Sequence, residues 1–438
     1  MLNLSVFMSP TGAHIGGWRL PGAVTDAGFN FDCWPDLVRL LERGKFDMMF
    51  LADGNGVNGI EAPDLLAANP TLRPVVLEPV TLLSALATHT SRIGLVATAT
   101  TTYDEPYSIA RRYGALDRIS KGRAGWNVVT TSNQYDALNF SRDEHVAHAD
   151  RYERAEEFID VVKGLWDSWA DDAFVQDKEG GRFLDPAKVR PLDHKGRHFK
   201  VRGPLNSARP VQGHAVIVVA GGSEPARAMA ARAADVLFTI TETKDTALEL
   251  YGDVKERARS FGRDPGDLRI MPGASIFVGE TSDQAEEIYS RLQDLIPDSV
   301  GVAMLSKMLY HDLSACDPEG PLPEITGEVK GVTIFRDKII RMARDRNLSI
   351  RETYQTILPA RGHVLMKGSA AEVADQIQDW YESKACDGFN LVASHLPGGL
   401  EAIVDLLIPE LQRRGLFRKD YEGVTLRDHL GVPLPQRS

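Results

Sequence analysis

Cysteine is scarce in this chain. Cys33, Cys316 and Cys386 are the only three in 438 residues, and they lie far apart. An odd number with no C-x-x-C pair argues against a disulfide framework and against a zinc ribbon. Buried structural thiols in a reducing compartment are the expectation. A basic excess is also missing. Lys and Arg number 50 against 61 Asp and Glu, giving a net charge of −11. That argues against a generic nucleic-acid binder and against attraction to anionic membrane surfaces. No apolar run approaches the roughly 18 residues of a membrane span. The start, Met1-Leu-Asn-Leu-Ser-Val-Phe7, lacks the basic stretch and long apolar core of a signal peptide. A cytoplasmic location is therefore expected. Walker and G-x-G-x-x-G motifs are absent too, so a built-in nicotinamide domain is not expected. Nor is there an internal repeat or a low-complexity segment.

What is present is ordinary globular composition, 43% hydrophobic and 25% charged. Short β-rich runs alternate with helical patterns. Strands are predicted at 2–8, 48–53, 93–101, 124–130, 215–220, 236–240, 270–278 and 389–394. Several are almost continuously apolar, as expected for strands covered on both faces. Helical stripes lie between them at 35–44, 79–88, 152–169, 225–234 and 370–383. Eight alternating units predict an α/β fold, a (β/α)8 TIM-type barrel, with an open doubly wound sheet as the alternative. One barrel domain over 1–438 is expected, with insertions at about 171–213 and 281–361. The first is polar and lacks a good helix. The second holds the turn-rich stretch 318–331 between helical segments and reads as a lid.

The densest polar constellation follows the fourth predicted strand. Gly122-Arg-Ala-Gly-Trp-Asn-Val-Val-Thr-Thr131 leads into Asp143–Phe158, gathering Asn127, His145, His148 and Tyr152. His148 and Tyr152 are four apart and share one helix face. They read either as a ligand clamp or as helix-surface polarity. Asp143, Glu144, His145 and His148 also offer metal-ligand chemistry, but not at H-E-x-x-H spacing, and no metal is expected. Ala220-Gly-Gly-Ser-Glu-Pro-Ala-Arg227 follows a strand and opens a helix. It reads either as a phosphate cradle or as a plain Ser N-cap. Asp53 at a strand end is a candidate ligand group or a turn stabiliser. Thr98 and Thr100 end the third strand with hydroxyls, and His14 and Trp18 occupy a glycine-rich loop after the first.

In this order the residues resemble the bacterial-luciferase-like flavin monooxygenases. The similar branch holds nitrilotriacetate, EDTA, dibenzothiophene-sulfone and long-chain-alkane monooxygenases and pristinamycin synthase. The resemblance is carried by Gly16–Arg19, Phe50–Asp53, Leu95–Tyr107, Ala110–Ser120, Gly122–Ser132, Asp143–Trp169, Arg197–Leu205 and Ala220–Ala226. It implies a barrel that binds reduced FMN (FMNH2) at the carboxyl ends of its strands. Asp53, Thr98, Thr100 and Asn127 would approach the ring and ribityl groups. His148, Tyr152, Ser223 and the backbone of Gly222 would hold the phosphate end, Gly222 standing where the family often has a second serine. His14, Trp18 and His311 would face the substrate. The resemblance further implies a separate NAD(P)H:flavin reductase, O2 as co-substrate, a 4a-peroxyflavin intermediate, a small organic substrate, and a homodimer or homotetramer. The alternatives are a deazaflavin-dependent oxidoreductase of the same fold, a metal-dependent barrel hydrolase, and a flavin-binding protein without turnover.

Overall fold

The computed structural model describes residues 1–57, 59–131, 133–325, 334–360 and 362–437. Nine parallel strands occur in chain order: β1 (Asn3–Met8), β2 (Met48–Leu51), β3 (Gly94–Thr100), β4 (Ala124–Val129), β5 (Val216–Ala220), β6 (Val236–Thr239), β7 (Arg269–Gly279), β8 (Val364–Ser369) and β9 (Gly388–Ala393). The hydrogen-bonded order runs β1-β2-β3-β4-β5-β6-β7-β9 and returns to β1, which closes an eight-stranded barrel. The expected (β/α)8 architecture is therefore present. All eight predicted strands lie in the ring.

The ninth strand, β8, was not foreseen. The 11-residue β7 pairs with β6 through its first residues and with β9 and β8 through its later ones. β8 thus extends the wall beside the ring. Its sequence, Val-Leu-Met-Lys-Gly-Ser, is only partly buried and shows neither a continuous apolar run nor a clean alternation.

Helices cover the barrel from outside. Helix His148–Trp166 buries Ala155, Phe158, Ile159, Val162 and Leu165, and packs Phe158 against Trp126 of β4 with ring centroids 5.7 Å apart. This apolar stripe at helical spacing is what fixes the helix on the wall. It starts four residues before the predicted 152–169 and so takes in His148 and Tyr152 on its first two turns.

Inside the ring the two ends differ. Met48, Val96, Val216, Val236 and Met271 form a buried cluster with Leu426, Leu430 and Val432. The last three belong to the short helix Leu426–Leu430 and the residue segment behind it. They plug the amino-terminal end of the barrel. Small residues admit the plug, since a Cβ on Gly94 would stand 2.4 Å from Leu426 Cδ1. Around the plug, polar groups are paired. Arg427 makes a two-pronged ion pair with Asp235, each N···O distance 3.0 Å. Asp47 accepts from the Leu4 N–H at 2.6 Å and pairs with Arg418. Asp117 accepts from the Val211 N–H at 2.6 Å and Gln212 Nε2 at 2.7 Å.

Two long connections interrupt the regular alternation of strand and helix. Residues 171–213 connect helix His148–Trp166 to β5. Among the described residues they hold one 3-10 turn (Pro186–Lys188) and a two-residue antiparallel ladder. Residues 281–361 rise from the carboxyl end of β7. Helices Ser282–Asp294, Asp298–Leu309, Ile334–Asp345 and Ile350–Ile357 lie there, and Val300, Leu305, Leu309, Ile339, Ile350 and Tyr354 form a core of their own with Ile15. The turn-rich stretch 318–331 is described to residue 325, and its remainder lies outside the described residues. Of the three thiols, only Cys386 is fully buried; Cys33 and Cys316 are half-buried, and all three are free. The expectation of uniform burial fails because Cys33 caps a surface helix and Cys316 lies in a connecting turn. No described helix is long and apolar enough to cross a membrane.

Candidate functional site

The loops after β2, β3, β4 and β5 meet at the carboxyl end of the barrel and enclose a cavity of about 320 Å³. Asp53, Thr98, Thr100 and Tyr152 line it, together with Arg73, Thr131, Asn133, Asp136 and Met229. A polar floor is set by register. Thr98 of β3 stands level with Asn127 of β4. Asn127 Nδ2 donates to Thr98 Oγ1 at 2.9 Å, and Thr98 Oγ1 donates to the Leu51 carbonyl at 2.7 Å. Asn127 Oδ1 is left buried with no partner. One turn of strand higher, the Thr100 and Thr131 hydroxyls are 2.6 Å apart.

The cradle lies across the mouth. Ser223 caps helix Glu224–Ala233 through the Ala226 N–H at 3.4 Å. Tyr152 Oη stands 3.4 Å from Ser223 Oγ, so the first turns of helix His148–Trp166 face the start of the next helix. The His148 and Tyr152 rings are 5.0 Å apart. Gly221 has φ +143, and a Cβ on Gly222 would find Thr239 Oγ1 at 3.5 Å as its nearest neighbour. That hydroxyl is buried and unpartnered. Glu224, an acid at the helix start, is turned aside to Arg257 at 2.9 Å.

Asp53 has an unusual setting. Burial pushes its carboxyl up to about 6, with Glu78 and Asp136 adding to the rise and the Gly54 N–H and Arg73 opposing it. Arg73 itself was not anticipated from the sequence. It ends the 3-10 turn Pro70–Leu72 in left-handed backbone, φ 55. Asn69 holds this turn by accepting from the Thr71 N–H at 3.1 Å and its hydroxyl at 2.6 Å. Arg73 Nη1 is buried with no partner. The only available signal was the string Asn-Pro-Thr-Leu-Arg-Pro, which reads as a turn and says nothing of where it points. Asp136 and Asn133 were missed for the same reason, and the long loops after β2 and β4 carry no periodicity.

The structure does not bring the three substrate-side candidates together. His14 is buried at 2% exposure. Its Nδ1 accepts from the Gly16 N–H at 3.0 Å, and its edge meets the Phe277 ring at 6.3 Å. Trp18 is half-buried in the turn Gly17–Arg19, its Nε1 enclosed without a partner. His311 follows helix Asp298–Leu309, donates its backbone N–H to the Ser306 carbonyl at 3.1 Å, and does not line the cavity. His145 sits between the Tyr103 hydroxyl at 2.5 Å and Arg151 Nη1 at 2.7 Å. Burial, then the Arg151 charge, lowers its pKa. Among the described residues no group of three or more His, Cys, Asp or Glu is arranged to hold a metal.

A family model described as luciferase-like monooxygenase matches residues 11–386. The chain is 47% identical to the N-acetyl-S-(2-succino)cysteine monooxygenase of Bacillus subtilis (strain 168), covering 99% of this chain and 97% of that one. It is 46% identical to nitrilotriacetate monooxygenase component A of Aminobacter aminovorans, covering 100% and 98%. Among solved structures it is similar to a riboflavin lyase crystallised with modified FMN and riboflavin. The TM-score is 0.82 at 30% identity, covering 99% of this chain and 96% of that one.

Proposed function

The chain belongs to the luciferase-like monooxygenase family and is an oxidoreductase, and from that premise we propose that it is the oxygenase of a two-component system that uses reduced FMN and O2. One observation carries the reading. Three buried polar atoms without partners border the cavity and its cradle: Arg73 Nη1 on the cavity wall, Asn127 Oδ1 beside the cavity-lining Thr98, and Thr239 Oγ1 facing Gly222. Native folds leave few such atoms, because each costs about 1–3 kcal/mol. Three of them around one cavity and its adjoining cradle fit a polar ligand, and their mix of donors and acceptors suits a flavin.

Asn127 and Thr98, in this reading, meet the ring and ribityl hydroxyls, with Thr100 and Asp53 at the cavity wall. Tyr152, Ser223 and His148 hold the phosphate at the start of helix Glu224–Ala233, where free N–H groups favour an anion. Gly222 contributes backbone only, and Thr239 supplies the second hydroxyl from the neighbouring strand. Trp18 offers its indole N–H from the loop after β1. His14 acts by holding that loop through Gly16. Bound there, reduced FMN supplies the two electrons and two protons with which one oxygen atom enters the substrate and the other leaves as water. The protein's part is orientation and exclusion of water by the loops after β2 and β4 and by the insertion 281–361.

A separate NAD(P)H:flavin reductase is part of the proposal. The chain lacks a dinucleotide motif, and one relative is named as component A of its system. The test is the purified chain with an added flavin reductase, with and without O2. Tight binding of reduced FMN and oxygen-dependent mass gain of a substrate support the reading. Absence of reduced-FMN binding sinks it.

A further inference from the structure

A second cavity, about 460 Å³, adjoins the first and shares Arg73 with it. Its walls come from the loop after β2 and from helices Asp298–Leu309 and Ile334–Asp345 of the insertion. Leu65, Met304, Met308 and Phe335 give it an apolar body. Among the described residues, its ionisable side chains are Arg73, Lys307 and Arg336, with the Tyr310 phenol. In a chain of net charge −11, Arg73 and Lys307 on facing walls, with no carboxylate among the described lining residues, favour an anionic occupant.

The cations are placed on opposite sides. Arg73 stands on the loop wall, held in left-handed backbone by the Asn69 turn, with Nη1 buried and unpartnered. A non-glycine residue in that conformation beside a cleft is a recurrent mark of function. Lys307 stands on the insertion wall, is exposed, and makes no ion pair among the described residues. Arg336 is buried at 8% exposure on the next helix. A ligand meeting both walls must carry anionic groups at two ends of a compact organic body. Planar bidentate contact suits a carboxylate to Arg73, and a point charge suits one to Lys307.

We propose that this cavity is the substrate site and that it selects small organic molecules bearing two or more carboxylates. The proposal rests on the monooxygenase reading for the chemistry, which it places beside Arg73, where the two cavities meet. Arg73 would fix one carboxylate next to the flavin cavity, and Lys307 would fix another under the insertion.

The test is direct binding by calorimetry, which needs no turnover. The FMN-loaded chain is titrated with N-acetyl-S-(2-succino)cysteine, nitrilotriacetate and citrate, and with the methyl ester of each. At least one acid is expected to bind about tenfold or more tighter than its ester, as charge-assisted pairing requires. Lys307→Gln should abolish most of that preference and Lys307→Arg should restore it. Esters binding as tightly as acids overturn the proposal, and so does failure of every acid to bind. Reduced-FMN affinity is measured separately on the same preparation. Its absence with acid binding intact would count against the flavin reading alone. Tight FMN binding without any preference for acids would count against the substrate class alone.

Discussion

The two ends of the barrel are built from the same strands and solve opposite problems. At the amino end, leucines from the chain's last helix fill the bore, and the charges around them are paired: Asp235 with Arg427, Asp47 with Arg418, Asp117 with Gln212. The exception there is His429, whose ring nitrogens have no partner. Burial lowers its pKa to about 4, with Arg418 adding to the fall, so the ring is neutral. Towards the carboxyl end, Asn127 Oδ1 of β4 and Thr239 Oγ1 at the end of β6 are buried and left open. One end is finished by the protein itself. The other is finished by what it binds. Stability and function are thereby separated along a single axis.

This contrast can be broken by mutation. Arg427→Ala strands Asp235 at the closed end, and stability should fall by about 3–5 kcal/mol, read by urea denaturation. Asn127→Leu at the open end should change stability by no more than about 1 kcal/mol, since loss of the Asn127 Nδ2–Thr98 Oγ1 hydrogen bond is offset by removal of a buried acceptor that has no partner. Equal losses from the two variants would erase the distinction. Next in size is Thr239→Val, which should weaken FMN binding by about 2 kcal/mol with little change in melting temperature, because hydrogen bonds to a charged group exceed neutral ones. Tyr152→Phe should cost about 1 kcal/mol of FMN affinity, measured by fluorescence titration. An unchanged dissociation constant would remove Tyr152 from the phosphate end.

The smallest effect concerns pH. The Asp53 carboxyl moves from 3.8 to about 6 on folding, chiefly through burial. The folded state therefore holds this proton more tightly than the unfolded chain. The stabilisation is complete below the unfolded value and is lost as pH rises through the folded one. Asp53→Asn should gain stability relative to the wild type as pH rises across that window, and the difference should level off above neutrality. Partial exposure to water keeps the effect small. Parallel stability curves would show that Asp53 titrates normally.

How much of this was legible beforehand follows from what each residue depends on. The ring strands could be read because strands covered on both faces are apolar throughout, as in Gly-Leu-Val-Ala-Thr-Ala-Thr of β3. Helix His148–Trp166 could be read because one stripe meets the wall. The Tyr152–Ser223 approach came only through the family resemblance, since neither segment's own pattern says that the two meet. Arg73 could not be read. Its importance lies in a turn whose direction is set by tertiary contacts, and its own string carries only turn chemistry. The short helix Leu426–Leu430 was equally silent, because five residues are too few to show a period. His14 lies deeper than its string suggests. A histidine in a glycine-rich loop looks available, yet the close packing around Gly16 and Gly17 buries it.

The ring's closure has a consequence for how the protein is made. β1 pairs with β2, a near neighbour in the sequence, but its other neighbour is β9, and Asn3 pairs with Gly388. Ser5 Oγ then donates to Asn390 Oδ1 at 2.9 Å inside the bore. The plug behind them arrives later still, at Leu426. Until residues 388–432 have been made and released, β1 keeps one edge open and the bore has no stopper. An arrested or prematurely terminated copy is thus an unclosed sheet with an exposed apolar lining, a substrate for chaperones and proteases.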